Sequence, residues 1–321
     1  MNHTNSEPLL EVRNLKKYFG KKGRILHAVD DISVSIGRGK TLGVVGESGC
    51  GKSTLGRTVL RLLEPTGGQI LFEGKDITHV GKSEMRRYRQ SMQIVFQDPY
   101  SSLNPRKSVA EIIATPLKVN HICKSRADLQ KRVRELMDTV GLAERLYDAY
   151  PHELDGGRRQ RICIARALAI RPKFIVCDEP VSALDVSIQA QILNLLMDLQ
   201  DEMGLTYLFI THDLSVVKHI SSDIMVMYMG SCVEYAPANE LFENPMHPYT
   251  RALLSAIPVP DISMRNRKIQ PIRGEVASPI NPQPGCRFAP RCDFACAQCT
   301  GREVPLQWRG GHAAACCRLN K

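Results

Sequence analysis

Residues 46–54 read GESGCGKST. They fit G-x-x-x-x-G-K-[ST] and lie between an apolar run, TLGVV at 41–45, and a stretch of helical composition that starts at Lys52. A glycine-rich loop at such a junction can wrap its backbone around phosphates. Gly46, Ser48, Gly49, Cys50 and Gly51 are the wrapping positions, with a helix N-terminus behind them. Lys52 brings a point charge to the β and γ phosphates, and the Ser53 hydroxyl, beside Thr54, can ligate Mg²⁺. A second stretch, FIVCDEP at 174–180, is an apolar strand running into acids. It delivers Asp178 toward a metal and sets Glu179 one step further on, placed to orient and polarise a water. His212 follows the apolar run FIT, where a strand end would bring it toward a γ phosphate.

The stretch PHELDGGRRQR at 151–161 poses a question. A glycine pair opening a helix offers N–H groups to an anion, yet Asp155 stands directly before Gly156 and Gly157. A carboxylate about 4 Å from a γ phosphate would cost roughly 4 kcal/mol per pair of unit charges at an effective dielectric near 20. Aspartate is also a good helix N-cap. Paired with Arg158, three residues on, it would lose much of its net charge.

These residues need a scaffold. Alternating patterns at 10–18 and 25–36, apolar runs at 41–45, 69–72, 93–96, 174–177 and 205–210, and helical patterns at 52–63, 108–168 and 188–203 predict an α/β fold with a parallel sheet. After about Asn244 prolines recur and periodicity fades, which predicts a boundary. The predicted domains are therefore 1–243, with a helical part at about 100–168, and 244–321.

Bulk properties narrow the function. The chain has 321 residues and 43% hydrophobic content, so a sizeable core is expected. Only 6% of residues are aromatic, which argues against a stacking surface for single-stranded nucleic acid. The formal charge of +10 fits a solvated basic surface, an anionic ligand, an anionic membrane face or nucleic acid. The N-terminus has no apolar signal-peptide region, and no apolar run reaches membrane-spanning length, so a cytosolic chain is expected. Cysteines there should be reduced or metal-bound. Of the eleven, six lie from Cys286 onward. Cys286, Cys292, Cys299 and Cys316 follow C-x₅-C-x₆-C-x₁₆-C, with Cys296 and Cys317 as extra thiols. Four thiolates suit zinc or an iron–sulfur cluster, and spacing does not separate the two.

With these motifs in order across roughly residues 10–240, the chain resembles the ATP-binding subunits of ABC transporters. The resemblance implies a P-loop NTPase fold, ABC-type, with a helical subdomain and a cysteine-rich C-terminal extension. Residues 46–54 match the family's Walker A motif and 174–179 its Walker B. Gln97 matches the glutamine that senses both nucleotide and membrane subunit and is implied as a Mg²⁺ ligand, 182–185 the D-loop, and His212 the switch histidine. Tyr18 stands where the family stacks an aromatic on adenine. PHELDGGRRQR lies where the family reads L-S-G-G-Q, so Asp155, Gly156 and Gly157 would face the ATP of a partner subunit and imply a heterodimer with one slow site. QDPYSSLNPR, DVSIQAQILNLL and NPMHPYTRALLSAIP resemble the dipeptide, oligopeptide and nickel branch, and the start resembles its "F" subunit. That implies ATP hydrolysis driving peptide uptake, or uptake of nickel or another small solute. The implied partners are a second ATPase subunit, two transmembrane permeases and an extracellular binding protein, with the chain peripheral on the cytoplasmic membrane face and no nucleic acid. It also implies a [4Fe–4S] cluster on Cys286, Cys292, Cys299 and Cys316, with Zn²⁺ the alternative. A soluble ABC ATPase outside transport is the other class, although neither a second nucleotide domain nor a long coiled-coil insert is visible.

Overall fold

The computed structural model describes residues 7–21, 23–257, 272, 274 and 278–320. Part of the expected C-terminal extension, 258–271, lies outside the described residues. The strands are β1 (Leu10–Lys21), β2 (Arg24–Ile36), β3 (Thr41–Val45), β4 (Gly67–Phe72), β5 (Lys75–Asp76) and β6 (Met92–Val95). They continue with β7 (Phe174–Asp178), β8 (Thr206–Ile210), β9 (Asp223–Tyr228), β10 (Ser231–Pro237), β11 (Gln307–Arg309) and β12 (His312–Ala314). The helices are α1 (Lys52–Val59), α2 (Lys82–Ser91), α3 (Pro99–Ser102), α4 (Val109–Val119) and α5 (Arg126–Thr139). After them come α6 (Gly156–Leu168), α7 (Val186–Met203), α8 (Leu214–Ile220), α9 (Ala238–Glu243) and α10 (Pro248–Ser255). The chain divides into two compact units, one of residues 1–36, 41–78 and 209–321, the other of 37–40 and 79–208.

In the first unit β1 pairs antiparallel with β2 and β4, and β4 with β5. Register shifts interrupt the β1–β2 ladder on both sides of Lys17, and such bulges re-aim the side chains that follow, here Tyr18. β3 is buried at every residue and runs parallel to β9. This is the signature of a strand covered on both faces. Beyond β9 the ladder turns antiparallel through β10, β12 and β11. Tyr228, Leu241, Tyr249, Leu254 and Phe288 share one buried cluster, so residues after 244 pack into the same core as β9.

The second unit pairs β6 parallel with β7, and packs α4 against α5 and α6. Several of its helices begin where a side chain satisfies a free N–H group. Ser108 and Glu111 form a reciprocal capping box on α4, Ser125 caps α5, and Asp155 caps α6.

Three expectations are corrected. The sheets are mixed rather than parallel. A two-residue turn, Met229-Gly230, with φ of 45° and 84°, folds β10 back on β9. Such a turn suits a hairpin, but methionine does not advertise it in sequence. The helix expected over 52–63 ends at Val59, because Arg61 takes φ 51° and buries its guanidinium against the Ile77 carbonyl at 2.7 Å. The helical stretch expected over 108–168 is broken between α4 and α5 and again before α6, where Gly141 takes φ 68° and short turns lead to Asp155.

A buried carboxylate joins the C-terminal residues to the first unit. Glu234, fully buried on β10, accepts from the Met246 N–H at 2.6 Å, the His247 N–H at 2.9 Å and His312 Nε2 at 2.7 Å. Glu234→Ala would leave three buried donors without an acceptor. We expect it to lower unfolding free energy by about 3–5 kcal/mol, read by denaturant titration, whereas a loss under about 1 kcal/mol would contradict this account.

Candidate functional site

The loop at 46–51 is shaped by close backbone approach. Gly46 takes φ 151°, and a Cβ there would fall 2.1 Å from the Met227 carbonyl oxygen. Gly51 takes φ 106° as the N-cap of α1, where a Cβ would fall 2.0 Å from the Ala28 carbonyl oxygen. Lys52 is 4% exposed, and its Nζ donates to the carbonyls of Gly46 at 2.7 Å and Glu47 at 3.0 Å. The ammonium therefore sits inside the loop, not on the surface. Ser48 and Gly49 occupy the turn, while Ser53 and Thr54 are half-buried in the first turn of α1. Burial pushes the Cys50 thiol up, so Cys50 is neutral filling under the loop.

Tyr18 lies on β1 in the same unit. Its ring stacks on His27 at 4.0 Å, and its hydroxyl donates to Asp30. Asp30 also accepts from His27 Nδ1 at 2.9 Å and from Arg287. Burial works against ionisation of Asp30, but the hydrogen bonds from Tyr18, His27 and Arg287 outweigh it and hold the carboxyl below its usual range. His212 is exposed on the turn after β8, between Thr211 and Asp213, whose N–H donates to the Thr211 hydroxyl at 3.1 Å. Asp213 in turn caps α8.

In the second unit β7 is buried throughout and ends in Asp178, 1% exposed. Glu179 follows at φ 49°, a left-handed backbone that a glutamate adopts only under constraint, and this turns its side chain out of the strand direction. Its Oε2 accepts from Gln97 Nε2 at 2.9 Å, which joins two residues that are 82 positions apart.

The glycine pair at 156–157 also has a packing reason. A Cβ on Gly156 would meet Leu184 at 2.9 Å, and one on Gly157 would meet Ile188 at 2.6 Å. The start of α6 thus lies against residues 184–188, which lead into α7. Asp155 accepts from the Arg158 N–H at 2.8 Å and pairs with its guanidinium at 3.5 Å, both side chains being about half exposed. Capping and charge pairing are both realised at one residue.

Among the cysteines, Cys286, Cys292, Cys299, Cys316 and Cys317 line one small pocket beside His247. A tighter trio overlaps it. The sulfurs of Cys299 and Cys317 lie 3.1 Å apart, and each is 3.7 Å from that of Cys296. Among the described residues none of the eleven cysteines is in a disulfide. Burial pushes Cys286 up to about 11 and Cys317 up to about 12. Burial, with Arg251, pushes His247 down to about 4, so its ring is neutral near pH 7. Its Nδ1 accepts from the Tyr249 N–H at 3.1 Å, which leaves the proton on Nε2, 4.0 Å from Cys286 Sγ. A ring N–H aimed at a sulfur suits a thiolate bound to a metal.

Four residues with a part in these sites escaped the sequence patterns: Asp30, Glu47, Arg287 and Arg291. The available signal was the placement of one arginine just after Cys286 and another just before Cys292.

The two readings of Asp155 separate by stability. Asp155→Ser keeps an N-cap acceptor, and we expect a change of about 0.3 kcal/mol or less, while Asp155→Ala loses about 1 kcal/mol in denaturant titrations. A loss well above that with serine would mean that the exposed ion pair to Arg158 holds the helix end.

Known proteins share this arrangement. Residues 29–182 match the family model described as ABC transporter, and 233–299 match that of the oligopeptide/dipeptide transporter C-terminal region. The oligopeptide transport ATP-binding protein OppF of Salmonella typhimurium is 49% identical over 97% of this chain and 93% of its own. The dipeptide transport ATP-binding protein DppF of Escherichia coli is 49% identical over 98% of this chain and 95% of its own. A solved ATP-binding cassette, a dimer in a post-hydrolysis state bound to ADP and Pi, superposes with a TM-score of 0.66 at 28% identity, covering 71% of this chain and 98% of that one. A loop that buries a lysine among its own carbonyls, a glutamate turned out of a buried acidic strand end, and these full-length likenesses agree: the chain belongs to the ATP-binding proteins of ABC transporters, with the C-terminal region of the oligopeptide/dipeptide group.

Proposed function

We propose that this chain is the ATP-hydrolysing motor of an importer for di- and oligopeptides, peripheral on the cytoplasmic face of the cell membrane. One observation carries the reading. An ATP-binding cassette and an oligopeptide/dipeptide C-terminal region stand in one chain, and OppF and DppF match it nearly end to end. Among the described residues no helix is long and apolar enough to cross a membrane, which fits a subunit that works through permease partners. The ATPase domain spans 1–243, with its helical subdomain at about 100–168, and the extension spans 244–321.

Tyr18 stacks on adenine, and the backbone of 46–51 wraps the phosphates. Lys52 exchanges its loop carbonyls for phosphate oxygens, which keeps its buried charge neutralised. Ser53, Gln97 and Asp178 would hold Mg²⁺, which screens the phosphate charge. Glu179 orients the attacking water and takes its proton, and Gln97 fixes Glu179 through Oε2. His212 contacts the γ phosphate. Asp155, Gly156 and Gly157 face the ATP held by a second, different ATPase subunit. There the carboxylate opposes closure, only partly offset by Arg158, so that site turns over slowly. Two permease subunits and an extracellular binding protein complete the complex and select the cargo.

The pocket residues Cys286, Cys292, Cys299 and Cys316 fit a [4Fe–4S] cluster, and Zn²⁺ is the alternative. Cys296 and Cys317, gathered on Cys299, offer a second ligand set. Protein purified without oxygen should be brown and hold iron and sulfide in equal amounts. A colourless preparation holding one zinc per chain would replace the cluster.

In the assembled transporter, Glu179→Gln should lower ATPase turnover by about 10²-fold or more, while the corresponding change in the other ATPase subunit should leave most of it. Equal damage from both would mean two equivalent sites. Restored peptide uptake when this subunit is supplied to cells lacking it tests the cargo, and uptake of nickel alone would reassign it.

A further inference from the structure

Two partly buried arginines reach from the cysteine loop to the residues around 46–54 and Tyr18 in the first unit. Arg291, immediately before Cys292, is 8% exposed. Its Nη1 donates to Glu47 Oε2 at 2.8 Å and to the Tyr228 hydroxyl at 3.3 Å. Glu47 is the second residue of GESGCGKST. Its N–H donates to the Tyr249 hydroxyl at 2.9 Å, and its carbonyl accepts from Lys52. The crest of the phosphate loop is therefore held through three separate groups of one residue. Arg287, immediately after Cys286, donates to the Met229 carbonyl and to Asp30, the carboxylate that also holds Tyr18 and His27.

The segment between them is stiff. Ala289 N–H donates to the Cys286 carbonyl, Arg291 N–H to that of Phe288, and Cys292 N–H to that of Ala289. Phe288, 2% exposed, packs edge-on to Tyr228 with ring centroids 5.4 Å apart. Cys286 and Cys292 thus terminate a short hydrogen-bonded turn, each next to one of the two arginines. Each arginine meets a carboxylate in a largely desolvated place, where breaking one partner leaves a buried charge behind.

We propose that Arg287 and Arg291 are positioning residues that couple the cysteine loop to ATP binding: Arg291 sets the phosphate loop through Glu47, and Arg287 sets the adenine-stacking Tyr18 through Asp30. The inference rests on the assignment of Tyr18 and 46–54 to ATP. The two arms of the strap act on opposite ends of the nucleotide, so they have different signatures. Loss of Arg291 weakens every ligand that carries a triphosphate. Loss of Arg287 weakens recognition of the base.

The test is equilibrium binding of ATP, GTP and inorganic tripolyphosphate, each with Mg²⁺, to the purified full chain, with thermal midpoints recorded alongside. Arg291→Ala should weaken all three by about tenfold, and Glu47→Gln, which keeps the side-chain shape, should do the same. The double variant should be no weaker than either single one, since both remove one interaction. Arg291→Lys should recover part of the loss. Arg287→Ala should weaken ATP and GTP alike by about tenfold while leaving tripolyphosphate within about twofold, since a stacking ring serves either purine. Replacing Cys286 and Cys292 by serine should reproduce both effects together in ATP affinity, a readout independent of turnover. ATP affinity within about twofold of the parent in Arg291→Ala, Glu47→Gln and Arg287→Ala would overturn the proposal. A uniform loss across all three ligands in Arg287→Ala, matched by a lowered thermal midpoint, would also overturn it, since that is what a purely structural residue gives. Failure of the parent chain to bind ATP, unchanged by Lys52→Ala, would instead sink the nucleotide assignment on which it rests.

Discussion

A buried ammonium must be surrounded by oxygen, and Lys52 at 4% exposure imposes that requirement on everything near it. The carbonyls of Gly46 and Glu47 turn inward to meet it. A backbone that curls this tightly leaves the ordinary regions of conformational space, so Gly46, Gly49 and Gly51 all take positive φ. At Gly46 and Gly51 there is then no room for a side chain. The Met227 carbonyl at the end of β9 walls one side and the Ala28 carbonyl of β2 the other.

The second unit meets a comparable constraint with acids. Asp178 is buried at the end of a strand that is itself buried throughout, so its charge must be directed at a partner and not at water. The left-handed turn at Glu179 separates two adjacent carboxylates in direction, and Gln97 holds the second one by a neutral donor. At 155–158 the exposed pair shows the opposite case. Solvent screens it, and its contribution to folding is the ordinary one of a helix cap.

The C-terminal residues pack into the core of the first unit. β12 extends the ladder of β10, Phe288 enters the core beside Tyr228 and Tyr249, and Glu234, before the predicted boundary, gathers three donors from residues after it. The loss of periodicity after Asn244 marks irregular backbone, which composition detects well. It does not mark the end of a core, because a core is defined by contacts and not by sequence order.

The local motifs were legible because their chemistry is local. A phosphate loop needs its glycines and lysine within nine residues, and a metal-directed strand needs its acids at one end, so residues 46–54 and 174–179 announce themselves. The pairing of Asp155 with Arg158 was legible for the same reason, a helical spacing of three. Tertiary structure decided the rest. The hairpin at Met229-Gly230 made the sheet mixed, Arg61 ended α1 early, and the thiols gathered as two overlapping sets sharing Cys299 and Cys317. It alone brought Arg291 to Glu47 across 244 positions, and Arg287 to Asp30 across 257. Such partners carry no spacing rule, because the free energy of a buried ion pair depends on distance and desolvation in the folded chain, and neither quantity is written in the order of the residues.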